Sequence, residues 1–315
     1  MRTIELTYPH ILSEDCLPET VAAIGFFDGI HKGHQEVIHT AIVKAKEKNM
    51  ESAVITFHPH PSVVLNKHKK NVKYITPIRQ KQEILQKMNV DRLYIIKFNK
   101  ELSSLSPQQF VDHFIIGLRI KHVVAGFDFT FGHKGSGNMG NISEYTRESF
   151  TYTTVSKVES DQVKISSTRI RHLLASGDVA QVNQLLGRPL SLYGTVLSGA
   201  KRGRKLGFPT ANLKVDEDIL LPKPGIYAVK VLFKNRIYEG MASLGTNPTF
   251  PEDEFRLSLE VHIFDYNHDI YGEELLLEWY AYIRDEAKFP SVEGLIKQLE
   301  DDEKTIRAYF QSYNK

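Results

Sequence analysis

The sequence holds a single cysteine, Cys16. One thiol cannot close an internal disulfide, and no cysteine–histidine cluster has the spacing of a zinc site. A reducing compartment is therefore expected, with Cys16 a small near-surface residue that lacks an activating neighbour. An excess of charge is also missing: 40 basic residues face 38 acidic ones, a net of +2. That balance gives no reason to expect nucleic acid as the main partner. Long apolar runs are absent as well. None approaches the roughly 18–20 residues that a membrane span needs, and Met1 to His10 is too polar for a signal peptide. The expectation is a soluble, cytoplasmic chain with no membrane partner. Internal repeats and low-complexity tracts are lacking too.

What remains is an ordinary globular composition over 315 residues, room for about two domains of ~100–200 residues. The first half alternates strand-like and helix-like segments. Val21–Phe27, Ala53–Phe57, Arg92–Lys97 and His122–Phe127 read as strands. Gln35–Asn49, Pro77–Met88 and Pro107–Ile116 read as helices, the first with Val37, Ile38, Ala41, Ile42 and Ala45 on one stripe. Such alternation predicts an α/β domain, a doubly wound, Rossmann-like parallel sheet whose ligands sit beyond the carboxyl ends of its strands. Two short helices follow, Thr168–Ala175 and Val179–Leu186, and Gly187-Arg188-Pro189 breaks the pattern. This places a domain boundary between residues 1–186 and 187–315. The second half is rich in closely spaced strands: Tyr193–Leu197, Gly225–Phe233, Arg236–Ser243, Leu257–Phe264 and Glu274–Tyr282. They predict a small antiparallel β-barrel, closed by a terminal helix over Ser291–Tyr313. The runs Lys67–Lys70 and Glu300–Glu303 read as solvated surface.

One constellation of candidate functional residues lies between the first strand and helix, in Gly25-Phe26-Phe27-Asp28-Gly29-Ile30-His31-Lys32-Gly33-His34. Glycines at 25, 29 and 33 let backbone approach a ligand closely. His31 and His34 fall where free N–H groups and the positive end of the helix dipole attract phosphate. Transfer at the α-phosphate of ATP loads charge onto non-bridging oxygens, and positioned donors such as two imidazoles suit that task. Lys164-Ile165-Ser166-Ser167-Thr168-Arg169-Ile170-Arg171 opens another helix. Its hydroxyls suit capping, and its cations Lys164, Arg169 and Arg171 suit a leaving pyrophosphate. Arg171 is expected to point inward and Arg169 to be the more exposed. Thr56-Phe57-His58-Pro59-His60-Pro61 and Gly126-Phe127-Asp128-Phe129-Thr130-Phe131-Gly132 each follow a predicted strand with rigid aromatics and prolines. Such walls can sandwich a flat ring; Phe127 and Phe129 either serve that purpose or pack the core.

The second constellation is Gly199-Ala200-Lys201-Arg202-Gly203-Arg204-Lys205-Leu206-Gly207-Phe208-Pro209-Thr210-Ala211-Asn212. Glycines and cations suit a loop over phosphates, although no Walker A sequence is present. Thr210 and Asn212 alternate along an extended chain and face the same way, as hard oxygen ligands suited to Mg²⁺ shared with ATP. Ser243–Phe250 supplies a polar turn, and Glu260 shares a strand face with His262. A carboxylate there can take the proton of an attacking hydroxyl.

These strings, with Arg284-Asp285-Glu286-Ala287-Lys288-Phe289, resemble the bacterial bifunctional riboflavin kinase/FAD synthetase family over nearly the whole chain. The resemblance implies phosphorylation of riboflavin to FMN and adenylylation of FMN to FAD, both with ATP. It implies that His31, His34, Asp128, Ser167, Thr168 and Arg171 serve ATP, together with Gly25, Phe27, Asp28 and Lys164 of the same strings. Phe57, Pro59 and Pro61 are implied near FMN. Gly203, Lys205, Gly207, Pro209 and Asn247 are implied at the kinase nucleotide, Thr210 and Asn212 at the metal, and Glu260 as general base. Family members often carry Asn where this chain has Asp128, and a carboxylate cannot donate as an amide does. The rival readings are an adenylyltransferase with a silent kinase domain, a flavin-sensing module that touches RNA, and an adenylyltransferase for another acceptor. Intact Thr210, Asn212 and Glu260 oppose the first, the near-neutral charge opposes the second, and the barrel half has no role in the third.

Overall fold

The computed structural model describes residues 1–10, 17–66, 72–160, 162–198, 206–246 and 257–313. Cys16, Lys67–Lys70 and Lys201–Lys205 lie outside them. Contacts divide the chain into two units, Met1–Ser167 and Thr168–Lys315.

The first unit is built on six parallel strands: β1 (Arg2–Leu6), β2 (Thr20–Ile24), β3 (Glu51–His58), β4 (Arg92–Lys97), β5 (Ile120–Gly126) and β6 (Thr151–Val155). Their order is β1-β4-β3-β2-β5-β6, and every neighbouring pair is parallel. A parallel sheet is covered on both faces, so its inner strands read as continuous apolar runs rather than alternating ones; β2 is buried throughout. On one face lie α1 (Lys32–Glu47) and α2 (Ile78–Lys87). Helix α1 turns Val37, Ile38, Ala41, Ile42 and Ala45 inward, where they meet Val54, Leu85, Leu93 and Val124. On the other face, Phe110, Phe114 and Phe131 pack beneath Tyr94 and Ile96. The helix predicted over Pro107–Ile116 begins in a capping box between Ser106 and Gln109, and its second half, Asp112–Ile116, widens to π-helical geometry.

In the second unit, α3 (Ser167–Ser176) and α4 (Val179–Leu186) precede a closed antiparallel barrel. Its strands are β7 (Leu190–Leu197), β8 (Ala211–Val215), β9 (Gly225–Phe233), β10 (Arg236–Thr246), β11 (Leu257–Ile263) and β12 (Glu274–Arg284). Around the barrel they run β7-β8-β11-β10-β9-β12, and closure leaves no open edge. The contact division falls earlier than the break read at Gly187 because both helices bond to the barrel. The Asn183 amide donates to the Trp279 carbonyl at 2.7 Å and accepts the Leu190 N–H at 2.7 Å. The Lys223 N–H donates to the Leu174 carbonyl at 2.8 Å.

Helix α5 (Val292–Tyr313) buries Ile306 and Phe310 against Met241, Phe264 and Tyr280. It also sets Asp302, 2% exposed, in a two-pronged pair with Arg284: Nε to Oδ1 at 2.9 Å and Nη2 to Oδ2 at 2.6 Å. Breaking such a pair leaves a desolvated cation without its partner, at a cost of about 3 kcal/mol. Asp302→Ala is expected to lose about that much stability. Trp279, the single tryptophan, is fully buried in β12, so urea denaturation followed by its fluorescence reads this unit directly.

Candidate active site

In the first unit the chain runs from β2 outward through β3 and β4, then returns to the other side of β2 for β5 and β6. The order reverses beside β2, and crevices at such reversals are where open α/β sheets bind ligands. Three of the strings singled out from the sequence leave the carboxyl ends of the adjacent strands β3, β2 and β5.

The loop after β2 is tightly specified. Phe27 adopts a left-handed backbone (φ 51°), as do Gly29 (φ 90°) and Ile30 (φ 40°). The Phe27 ring fills the place of a Gly25 side chain, since a Cβ there would stand 2.9 Å from it. Its face meets His34 edge-on at 5.4 Å between centroids. Asp28 is buried, and its Oδ1 accepts the N–H groups of Ile75 and Thr76 at 3.0 and 3.1 Å. The Asp28 carbonyl accepts the Ser167 hydroxyl at 2.9 Å. Asp28 and Ser167 thus hold the loop together.

His31 is the N-cap of α1. Its Nδ1 accepts the His34 N–H at 3.2 Å, which leaves the proton of a neutral ring on Nε2 as a donor. The two imidazoles stack at 3.6 Å with planes 19° apart. A Cβ on Gly33 would come within 3.2 Å of the His31 ring, so glycine between the histidines permits the stack.

Asp128 leaves β5 as an exposed carboxylate paired with Lys164 at 2.6 Å, and the Lys164 ammonium also stands 4.5 Å above the Phe127 ring. Phe127 is 46% exposed, whereas Phe129 is half-buried against Phe131 and the core. The choice left open between ligand wall and core thus divides: Phe127 faces outward and Phe129 packs. Phe57 lies in the core beside Phe98 and Phe110. Pro59 and Pro61 are half-buried, and Pro61 opens a short helix capped by His60.

The second unit carries Thr168, Arg169 and Arg171 on α3. Thr168 is exposed and both arginines are half-buried, so burial does not set Arg171 inside and Arg169 outside as expected. A cavity of about 410 Å³ opens in this unit. Thr210, Ser243, Glu260 and His262 line its polar part, and Phe208, Phe289, Leu295 and Leu299 line its apolar part. Barrel register builds the polar row: Asn212 stands opposite Glu260, and Glu260 stands opposite Ser243. The Thr210 hydroxyl lies 3.2 Å from the Glu260 carboxylate. The His262 Nδ1 donates to the Pro209 carbonyl at 2.7 Å and pins the Gly207–Asn212 segment. Gly207 takes φ 85° in open space. Gly203, Lys205 and Asn247 lie outside the described residues.

Sequence reading missed the supporting residues Lys81 and Tyr74, and it named Arg284 and Glu286 only within a matching string, without a role for either. For Lys81 a signal existed: it stands four residues before Leu85 on the buried stripe of α2. For Glu286 the signal was Gly245, whose missing side chain leaves room for that carboxylate.

A stacked histidine pair at a helix start, set at the strand reversal of a parallel sheet, is the build of an HxGH nucleotidyltransferase. The barrel beside it in sequence carries a separate hydroxyl–carboxylate site. Family models agree: residues 13–169 match FAD synthetase and residues 186–310 match riboflavin kinase. The bifunctional riboflavin kinase/FMN adenylyltransferase of Listeria monocytogenes is 48% identical over 310 residues, 98% of each chain. The protein of that description from Bacillus subtilis is 43% identical over 316 residues, 100% of each chain. The chain belongs to the bifunctional riboflavin kinase/FMN adenylyltransferase family. A crystal structure from Streptococcus pneumoniae, described as a macrolide-efflux protein, has a TM-score of 0.88 at 36% identity, covering 98% of this chain and 99% of that one. Among the described residues of this chain no helix is long and apolar enough to cross a membrane.

Gly25→Ala forces the new methyl against the Phe27 ring, and overpacking of this kind costs about 1–3 kcal/mol. Shortening the ring with Phe27→Leu is expected to relieve part of that cost. A double-mutant cycle by urea denaturation, followed by circular dichroism, should therefore give a non-additive coupling of at least ~0.5 kcal/mol. Strict additivity would mean that the two positions do not press on each other.

Proposed function

We propose that the chain carries out both ATP-dependent steps, each in its own half. Residues 187–315 transfer the γ-phosphoryl group of ATP to the 5′-hydroxyl of riboflavin, giving FMN and ADP. Residues 1–186 join the FMN phosphate to the α-phosphorus of a second ATP, giving FAD and pyrophosphate. The observation that carries the second step is the Nδ1-capped His31 stacked on His34, at the start of the helix that follows β2, the strand between β3 and β5.

For adenylyl transfer, the His31 Nε2–H and His34 stabilise the charge that grows on the α-phosphate oxygens. N–H groups of the first turn of α1 add their own attraction. Lys164, Thr168 and Arg171 hold the departing pyrophosphate. Phe127, exposed at the exit of β5, and Pro59 and Pro61, after β3, offer flat surfaces for the flavin ring.

For phosphoryl transfer, Glu260 takes the proton of the riboflavin hydroxyl as that oxygen attacks. Thr210 and Asn212 align the nucleotide, and the apolar part of the cavity receives the ring. Thr210 and Asn212 offer oxygen donors beside the Glu260 carboxylate, with Thr210 at 3.2 Å from it and Asn212 opposite it, which fits Mg²⁺. Bound there, Mg²⁺ would neutralise the phosphate charge. A cytoplasmic setting, where thiols stay reduced, suits the lone cysteine.

The test is chromatography of products from the full chain given riboflavin or FMN with ATP and Mg²⁺. His31→Ala and Arg171→Ala are expected to lower FAD formation about 10²–10³-fold and to leave FMN formation within twofold. Glu260→Ala should lower FMN formation about 10²–10⁴-fold while FMN is still converted to FAD. Loss of both steps in any one folded variant would overturn the assignment of one step to each half.

A further inference from the structure

Lys81 is 3% exposed, an unusual position for an ammonium group. Its Nζ donates to the Phe26 carbonyl at 2.7 Å and to the Thr56 hydroxyl at 3.1 Å, and lies 4.8 Å from the centre of the Phe26 ring. The Thr56 hydroxyl donates to the same carbonyl at 2.9 Å. Phe26 belongs to the loop that leaves β2 for the histidine pair. Thr56 lies near the carboxyl end of β3, three residues before Pro59. One buried cation therefore bridges the start of the loop after β2 and the carboxyl end of β3, from which Pro59 and Pro61 follow.

The same knot extends on both sides. The Phe26 ring meets His60 edge-on at 4.4 Å, and the His60 N–H donates to the Tyr74 hydroxyl at 3.0 Å. Asp28, clamped by the N–H groups of Ile75 and Thr76, attracts the ammonium. Burial outweighs that attraction and brings the pKa of Lys81 down to about 8. Near neutral pH the group is still mostly charged, in a place where an apolar side chain of similar length would avoid the desolvation cost. That cost needs a compensating task, and the bridge supplies one.

We propose that Lys81 is a positioning residue for adenylyl transfer, which fixes the HxGH loop against the carboxyl end of β3, ahead of Pro59 and Pro61, so that the flavin phosphate meets ATP in line. This rests on the adenylyltransferase reading above. In-line attack tolerates little displacement, and a shift of about 1 Å can cost about a hundredfold. The barrel reaction does not depend on this bridge.

The experiment measures both reactions on the same preparations of full-length wild type, Lys81→Met, Lys81→Arg and Thr56→Val. Lys81→Met is expected to lower kcat/KM for FAD formation at least tenfold and to raise KM for both FMN and ATP. Riboflavin phosphorylation should stay within twofold. Lys81→Arg, which keeps the charge, should recover part of the loss. Thr56→Val, which removes one arm of the bridge, should lower FAD formation several-fold, and it decides the matter if Lys81→Met does not fold. Wild-type FAD formation in folded Lys81→Met, or in Thr56→Val when that variant decides, overturns the proposal. So does a parallel fall in both reactions, which marks a general loss of structure. If the wild-type chain itself makes no FAD, the adenylyltransferase reading falls and takes this proposal with it; if it makes FAD and the variants match it, only the role of Lys81 falls.

Discussion

The N-terminal unit depends on the turn between Ile24 and Lys32. There the chain leaves the central strand, reverses, and starts α1 with His31 already aimed. Phe27 at φ 51° and Ile30 at φ 40° occupy a backbone region that costs roughly 1–3 kcal/mol per residue, and Ile30 carries the added crowding of a branched β-carbon. Such a conformation persists only when its surroundings leave no alternative. Here the Phe27 ring occupies the space that Gly25 vacates, Ile30 is fully buried, and the Asp28 side chain is held by two backbone donors. The strain is thus offset by packing and hydrogen bonds. What it secures is an imidazole that both caps the helix and keeps a proton on its outer nitrogen.

The barrel reaches comparable precision by different means. Antiparallel register sets Asn212, Glu260 and Ser243 side by side across three strands. Closure removes the freedom to slip, because a one-residue shift would turn all of them to the opposite face. Arg284 and Asp302 then hold the last strand to α5, and α5 contributes Leu295 and Leu299 to the cavity wall. The cavity therefore has polar groups on one side and apolar surface on the other.

The sequence revealed most where chemistry needs contiguous residues. The spacing of His31 and His34 around a small residue marked the helix start, and Thr210 and Asn212 alternate on an extended segment, so the local geometry of both strings was legible. The inner strands were legible from their apolar runs. The outer strands β1 and β6 were not, because edges of a sheet carry mixed, partly exposed residues: β6 reads Thr-Tyr-Thr-Thr-Val and is nowhere fully buried. The grouping of α3 and α4 with the barrel rests on bonds such as Asn183 to Trp279, between residues far apart in the chain. The same holds for Lys81 with Thr56 and His262 with Pro209. Local periodicity carries no signal of such pairs. A charged or polar residue on an otherwise buried stripe is the nearest thing to one.

Asp128 shows why a departure from a family's usual residue has to be judged with its neighbours. An amide at that position can donate to a nucleotide, and a carboxylate alone would repel one. Asp128 is not alone, since Lys164 pairs with it at 2.6 Å, and the two side chains are 61% and 40% exposed. An ion pair so open to water is worth about 0–1 kcal/mol, so it holds Lys164 near the loop without sequestering it. In the proposed adenylyl transfer, a triphosphate with several negative charges would compete for that ammonium on better terms than a single carboxylate does. On that proposal the carboxylate would keep the Lys164 cation within reach of the site, and the donor beside it would offset the loss of one donor at the exit of β5.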